Sequence, residues 1–313
     1  MSIIEKAVKR LDQLKTAAGD AVPDVAQADD PVSAAPARPV APVPTEAPSP
    51  VPQPAARAPA KTVRIDLARL AAHGMVTPDQ PRSGIAEEFR LIKRPLLANA
   101  VQDGPTAVEN GNLIMISSAL PGEGKTFNAI NLAISMAMEL DYTVLLIDAD
   151  VSRPSVLREL DIPPQAGLMD VLAGEVADLS EVLLKTNIDK LSILPAGMPH
   201  QRATELLASD AMTQLLEQIA HRYADRIIVF DSPPLLVTTE SRVLATHMGQ
   251  VVLVVEAGRT THAHVRQALA TIETCPIRML VLNKTRERSV GGYYGYGYGY
   301  GYGNAPEGRP EAA

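Results

Sequence analysis

Residues 113–126 read LIMISSALPGEGKT, an apolar run that passes through a glycine-punctuated loop into Lys125 and Thr126. The apolar run predicts a strand over Leu113–Ser117, and the segment after the loop predicts a helix over Thr126–Leu140. Between them, Ala119 to Thr126 has the Walker A spacing, with Ala119 standing where that pattern has its first glycine. The order of residues follows from the chemistry. Gly122 and Gly124 let backbone N–H groups close around phosphate oxygens with no Cβ in the way. The helix start adds the positive end of its dipole. Lys125 reaches the β- and γ-phosphates, and Thr126 offers a hydroxyl to Mg²⁺. The loop as a whole, Pro121, Gly122, Glu123, Gly124, Lys125, Thr126 and Phe127, is thus the expected nucleotide cradle, with ATP and Mg²⁺ as the groups it holds.

The rest of the central region has the same grammar. Strands are predicted at Thr143–Ile147, Leu191–Leu194, Ile227–Phe230, Val251–Val255 and Met279–Leu282. Helices are predicted at Ser83–Ala100, Ala203–Tyr223 and His262–Thr274. Short, almost wholly apolar strands between amphipathic helices imply strands buried on both faces. The expected fold class is therefore α/β, a P-loop NTPase-type, mostly parallel sheet flanked by helices on both faces. Two of these strands run into acids, Leu145-Leu146-Ile147-Asp148-Ala149-Asp150 and Ile227-Ile228-Val229-Phe230-Asp231. One aspartate at a strand end is ordinarily a cap or a turn residue. Three of them at the carboxyl ends of parallel strands, beside a P-loop, sit where such sheets place ligands. Lys125, Asp148, Asp150 and Asp231 are expected around one MgATP, with carboxylates near a cation that takes oxygen ligands and keeps several waters.

Composition divides the 313 residues into four regions. Residues 1–19 carry Ile3, Ile4, Ala7, Val8, Leu11 and Leu14 at helical spacing. They read as an amphipathic helix that docks on a partner, on a membrane surface or on its own domain. Residues 20–61 are rich in Ala and Pro, which excludes regular structure and predicts a disordered tether. Residues 62–289 form the expected folded domain. Residues 290–313 form a tail containing GGYYGYGYGYGYG, where glycine opposes helix and packed strand alike. A net charge of −7 argues against nucleic acid as a partner. The single cysteine, Cys275, excludes an intramolecular disulfide and fits a reducing cytoplasm. No apolar run is long enough to span a bilayer, so the expected location is cytoplasmic, with any membrane association made through a partner.

SSALPGEGKT (117–126), LLIDADVSRPS (145–155) and IIVFDSPPLL (227–236) resemble the Walker A, Walker A′ and Walker B motifs of the bacterial tyrosine kinases. LSILPAGMPHQRATELL (191–207), VLNKT (281–285) and the tyrosine-rich tail add to the likeness. It extends to the subgroup associated with exosortase-type exopolysaccharide systems through MSIIEKAVKRLDQLK and VRIDLARLAAHGMVTPD. The resemblance implies a protein-tyrosine autokinase acting in capsule or exopolysaccharide export. It implies Lys125 and Thr126 on phosphates and Mg²⁺, Asp148 as general base, Asp150 and Asp231 organising the metal, and Asn283 near adenine. It implies a homo-oligomeric ring contacted through Glu87, Arg90 and Lys93, where the family pattern ends in arginine. It further implies an inner-membrane polysaccharide co-polymerase as activator and a cognate tyrosine phosphatase. The acceptors would be Tyr293, Tyr294, Tyr296, Tyr298, Tyr300 and Tyr302 of a neighbouring copy, because a tail of roughly 13 residues reaches at most ~45 Å.

Two other readings use the same loop. A MinD/ParA-type regulatory ATPase normally has a second lysine early in its P-loop, where this chain has Leu120, and it gives the tail no role. A noncatalytic scaffold would use ATP only to hold an oligomer beside a co-polymerase.

Overall fold

A computed structural model describes residues 61–102, 104–222 and 226–285. The N-terminal helix, all but the end of the linker, and the tyrosine tail expected from sequence lie outside these residues. The described chain begins with β1 (Lys61–Thr62), α1 (Leu67–Ala72) and α2 (Gly84–Ala100). The first half of the P-loop domain then follows as β2 (Leu113–Ser118), α3 (Lys125–Ala137) and β3 (Thr143–Asp148). After α4 (Val156–Glu159) and α5 (Leu168–Leu172) come β4 (Leu184–Lys185), β5 (Leu191–Leu194), α6 (Ala203–Leu207) and α7 (Asp210–Arg222). The described chain closes with β6 (Arg226–Asp231), α8 (Glu240–Ala245), β7 (Gln250–Glu256), α9 (His262–Ala270) and β8 (Ile277–Asn283).

The strands form one sheet in the order β1-β4-β5-β3-β6-β2-β7-β8, and each described pairing is parallel except β4 with β5. Period-two alternation explains how strands with no polar face find a core. Ile114, Ile116, Val144, Leu146, Val229 and Val252 point to one face, where α2 and α3 cover them. Leu113, Met115, Leu145, Ile147, Phe230 and Leu253 point to the other, toward α7 and α8. Each such side chain contributes about 1.5–3 kcal/mol on burial, so the central strands are the best-anchored part of the fold. Local caps set the helix starts. Asp66 accepts from Arg69 N at 3.1 Å, Ser83 from Ala86 N at 3.4 Å and Thr261 from His264 N at 3.2 Å, each satisfying an orphan donor of the first turn.

Two expected elements differ in kind, and α3 and α9 also end earlier than expected, at Ala137 and Ala270. The helix expected over Ala203–Tyr223 is two helices, because Ser209 interrupts it. Its hydroxyl donates to Leu206 O at 2.7 Å and accepts from Met212 N at 3.4 Å, a local side-chain bond that ends one helix and caps the next. The strand at 279–282 is longer, and it is not buried on both faces. β8 is an edge strand with alternating exposure, and Leu280 and Leu282 are 52% and 61% exposed.

Candidate functional site

The register of the sheet assembles the site. Asp148 and Asp231 are aligned partners on adjacent strands, and Asp231 aligns with Ile116 on β2. The carboxyl ends of β3, β6 and β2 are therefore level with one another, and the helix after the β2 loop begins against Asp231.

That loop is held from several sides. Gly122 and Gly124 have φ of 82° and 99°, a conformation that glycine adopts without strain. A Cβ on Gly124 would also collide with the Asn283 side-chain amide. Glu123 is fully buried. Its Oε2 accepts from Leu120 N at 2.7 Å, and its Oε1 accepts from the Thr260 hydroxyl. From β8, Asn283 Nδ2 donates to Glu123 O at 2.9 Å and Lys284 Nζ donates to Gly122 O at 2.7 Å. Lys284 and Arg259 both pair with Glu256, at 3.2 and 2.9 Å. These contacts occupy loop carbonyls and a carboxylate.

At the start of α3, Lys125 Nζ lies 2.6 Å from Asp150 Oδ2 and 3.9 Å from Asp231 Oδ1. The Thr126 hydroxyl donates to Asp231 Oδ2 at 2.7 Å. Its proton being committed there, Ser155 Oγ at 2.8 Å is the donor to Thr126 Oγ1. Asp148 Oδ2 accepts from Ser155 N and Val156 N, both at 3.0 Å, which caps α4. Its Oδ1 has one longer contact, 3.3 Å from Asp150 N. Burial, and then the neighbouring Asp231 charge, push the Asp148 carboxyl up to about 7 against the opposing pull of those N–H groups. Burial likewise raises Asp231 to about 6, although Lys125 and Thr126 act to lower it.

The residues present fit a magnesium ion. Asp231 Oδ1 is buried and has no hydrogen-bond partner among the described residues, an expensive condition for a carboxylate. A ligand or its water at this point would satisfy it. The donors nearby, Thr126, Asp150 and Asp231, are all oxygen, as a hard cation requires. Among the described residues no cluster of three or more His, Cys, Asp or Glu forms a self-sufficient metal cage. Mg²⁺ binds through few protein groups together with substrate phosphates and water.

The structure thus brings Lys125, Thr126, Asp148, Asp150 and Asp231 into one place. Pro121 and Gly122 are exposed on the loop. Phe127 turns its ring toward Phe89, with centroids 6.5 Å apart, so its backbone N–H is what it can offer a phosphate. Asn283 spends its amide nitrogen on the loop. Of the expected oligomer contacts, Glu87 and Arg90 are on the surface and paired with each other. Lys93 is 4% exposed and points inward, donating to Ser135 O and pairing with Glu139 at 2.8 Å. Arg94 next to it is exposed. Sequence reasoning assigned no role to Ser155, Thr260 or Lys284. Ser155, in the DVSRPS stretch just past the second acid, and Lys284, in VLNKT, lay in stretches that could have pointed to them.

Taken together, a glycine-shaped anion loop, a lysine and strand-end carboxylates at the carboxyl edge of a parallel sheet define a P-loop nucleotide-binding protein. A family model described as an AAA domain matches residues 111–283. Tyrosine-protein kinase YwqD of Bacillus subtilis is 30% identical over 71% of this chain and 91% of its own length. Succinoglycan biosynthesis transport protein ExoP of Rhizobium meliloti is 35% identical over 70% of this chain, which spans only 27% of ExoP. Among solved structures, the kinase domain of Escherichia coli tyrosine kinase ETK superposes with a TM-score of 0.59 at 30% identity, over 71% of this chain and 86% of that one. The chain belongs to the bacterial tyrosine kinases, within the AAA-domain group of P-loop proteins. No helix among the described residues is long and apolar enough to cross a membrane.

Proposed function

We propose that this chain is an ATP-dependent protein-tyrosine autokinase whose acceptors are Tyr293, Tyr294, Tyr296, Tyr298, Tyr300 and Tyr302 of a second copy. One observation carries the reading. Lys125, Asp148, Asp150 and Asp231 converge on a single P-loop, and Asp148 keeps one carboxylate oxygen lightly engaged at a pKa of about 7. A base near neutrality is suited to a proton that leaves late.

In the ground state Lys125 is neutralised by Asp150. ATP phosphates would draw it off that partner, which would release the Asp150 carboxylate. Thr126, Asp150 and Asp231 would hold Mg²⁺, whose charge would offset that of the phosphates. The tyrosyl oxygen would form a bond to the γ-phosphorus while the bond from that phosphorus to the β,γ-bridging oxygen breaks. The departing ADP would keep the electron pair, and the phenolic proton would pass to Asp148. Ser155 would hold Thr126 in register by donating to its hydroxyl.

The biological setting is proposed on the same footing. ExoP is named for succinoglycan biosynthesis transport, which supports a role in exopolysaccharide export. A separate inner-membrane co-polymerase would then activate this chain at the membrane, and a tyrosine phosphatase would reset it. For the proposed ring, Glu87 and Arg90 remain available on the surface. Arg94 takes the outward place that Lys93 does not occupy.

The test is mass spectrometry of the purified full chain after incubation with MgATP. The wild type should acquire phosphate on tail tyrosines, and Asp148→Asn should slow this by about 10²–10⁴-fold, the range for loss of a general base. A wild type that only releases inorganic phosphate would favour the regulatory-ATPase reading instead.

A further inference from the structure

The two ends of the nucleotide site are separated along the sheet. Asn283 and Lys284 hold the P-loop from the β8 side. Lys125, Thr126, Asp150 and Ser155 gather on the β3 side. A triphosphate seated on this loop has its terminal phosphate with the lysine, and so faces β3. Its acceptor then has to approach from beyond β3, where the next strand is β5.

A cavity of about 590 Å³ lies there, over the carboxyl ends of β3 and β5, with Asp148 in its wall. Much of the remaining wall is apolar and stiff, including Leu157, Ile162, Pro163, Pro164 and Pro195. Its size falls in the range of small-molecule sites, which are apolar with a few placed polar groups. Proline offers no N–H and little freedom. Such a wall gives a peptide backbone few hydrogen bonds, but it gives an aromatic ring a flat apolar face. The tail complements it. Tyr296, Tyr298, Tyr300 and Tyr302 each have glycine on both sides, whereas Tyr293 and Tyr294 flank one another. Glycine lets the backbone pass close to a rigid rim that a Cβ would strike.

We propose that this cavity is the acceptor subsite. It takes a tyrosyl ring flanked by glycines, turns the phenolic oxygen toward Asp148, and makes the segment 154–165 together with Pro195 the determinant of which tyrosines are used. The inference rests on the kinase reading above. It adds a recognition element outside the nucleotide loop and an order among the six tyrosines.

Two measurements test it, both on the full chain with saturating MgATP. In the first, Gly-Gly-Tyr-Gly-Gly and Gly-Val-Tyr-Val-Gly peptides are compared as acceptors, and the tail sites are mapped at early times. The glycine-flanked peptide should have at least about tenfold higher kcat/KM, and Tyr296–Tyr302 should fill before Tyr293 and Tyr294. Equal use of both peptides, refusal of both while the tail is phosphorylated, or the reverse order of tail sites overturns the subsite. In the second, Pro164→Trp narrows the cavity from an exposed position. The acceptor KM should rise about tenfold while MgATP affinity, read by binding of a fluorescent analogue, is unchanged. An unchanged acceptor KM, or an equal loss of nucleotide affinity, contradicts a separate acceptor site. A wild type that makes no phosphotyrosine on any substrate fails differently, since it removes the kinase reading itself and this inference with it.

Discussion

Neutralising Asp148 by Asp148→Asn should change how the stability of the nucleotide-free protein depends on pH. An unfolded aspartate releases its proton near 3.8, whereas folded Asp148 holds it to about 7 and folded Asp231 to about 6. Between these limits the folded state carries more protons than the unfolded one, so stability falls as pH rises and the loss is complete above the folded values. One proton corresponds to about 1.4 kcal/mol per pH unit. From about pH 5 to about pH 8, Asp148 accounts for about 3 kcal/mol and Asp231 for about 1 kcal/mol. The asparagine retains one carbonyl oxygen to accept from Ser155 N and Val156 N, so the cap on α4 survives in part. Asp231 keeps its own contribution, because burial and the Asp150 and Glu159 charges raise it. Urea unfolding in EDTA at the two pH values gives the comparison. Wild type should lose about 4 kcal/mol more at the higher pH than its other groups account for, and the variant about 1 kcal/mol. Equal losses in the two proteins would refute the claim that Asp148 is buried, crowded by a second carboxylate and late to release its proton as pH rises.

Three further outcomes follow from the same contacts. Lys125→Met should abolish MgATP binding and lower the stability of the free protein by about 3–5 kcal/mol, since it strands Asp150 and Asp231 without their cation; thermal melts should recover in part when Asp150→Asn is added. Gly124→Ala places a Cβ against Asn283 at a φ of 99°, and calorimetric titration should show nucleotide affinity reduced at least about tenfold, with unfolding at lower denaturant. Each phosphotyrosine adds about −1.5 to −2 charges, so a fully phosphorylated sample should sediment at lower mass than the unphosphorylated one if crowded tails loosen the oligomer.

The part of the site that could be read in the sequence was the contiguous part. A Walker A loop, and acids following an apolar strand, are local patterns whose geometry is dictated by strand, turn and helix, and the sheet registers bring them together. The remainder depends on contacts between residues far apart in the chain. Thr260 supports Glu123 from 137 residues away, and Lys284 holds Gly122 from 162 away. No local pattern announces Thr260, and the VLNKT stretch marks Lys284 without saying which carbonyl it holds. Short elements such as α4, α5 and β4 carry too few residues for a periodicity to show. Lys93 illustrates the limit of a spacing argument. Its place in a surface pattern pointed outward, but a carbonyl and a carboxylate at the end of α3 draw it in. β8 illustrates the converse, because Leu280 and Leu282 look like core in the sequence and become surface at a sheet edge.

Mixing two variants tests the central claim most directly. Lys125→Met, with its tail intact but its own site disabled, is combined with MgATP and an otherwise wild-type chain ending at residue 290. Phosphate should appear on tyrosines 293–302 of the Lys125→Met chain, delivered by a partner that has none of them. A mixture in which the truncated chain still binds MgATP, yet leaves that tail unmodified, would contradict the account.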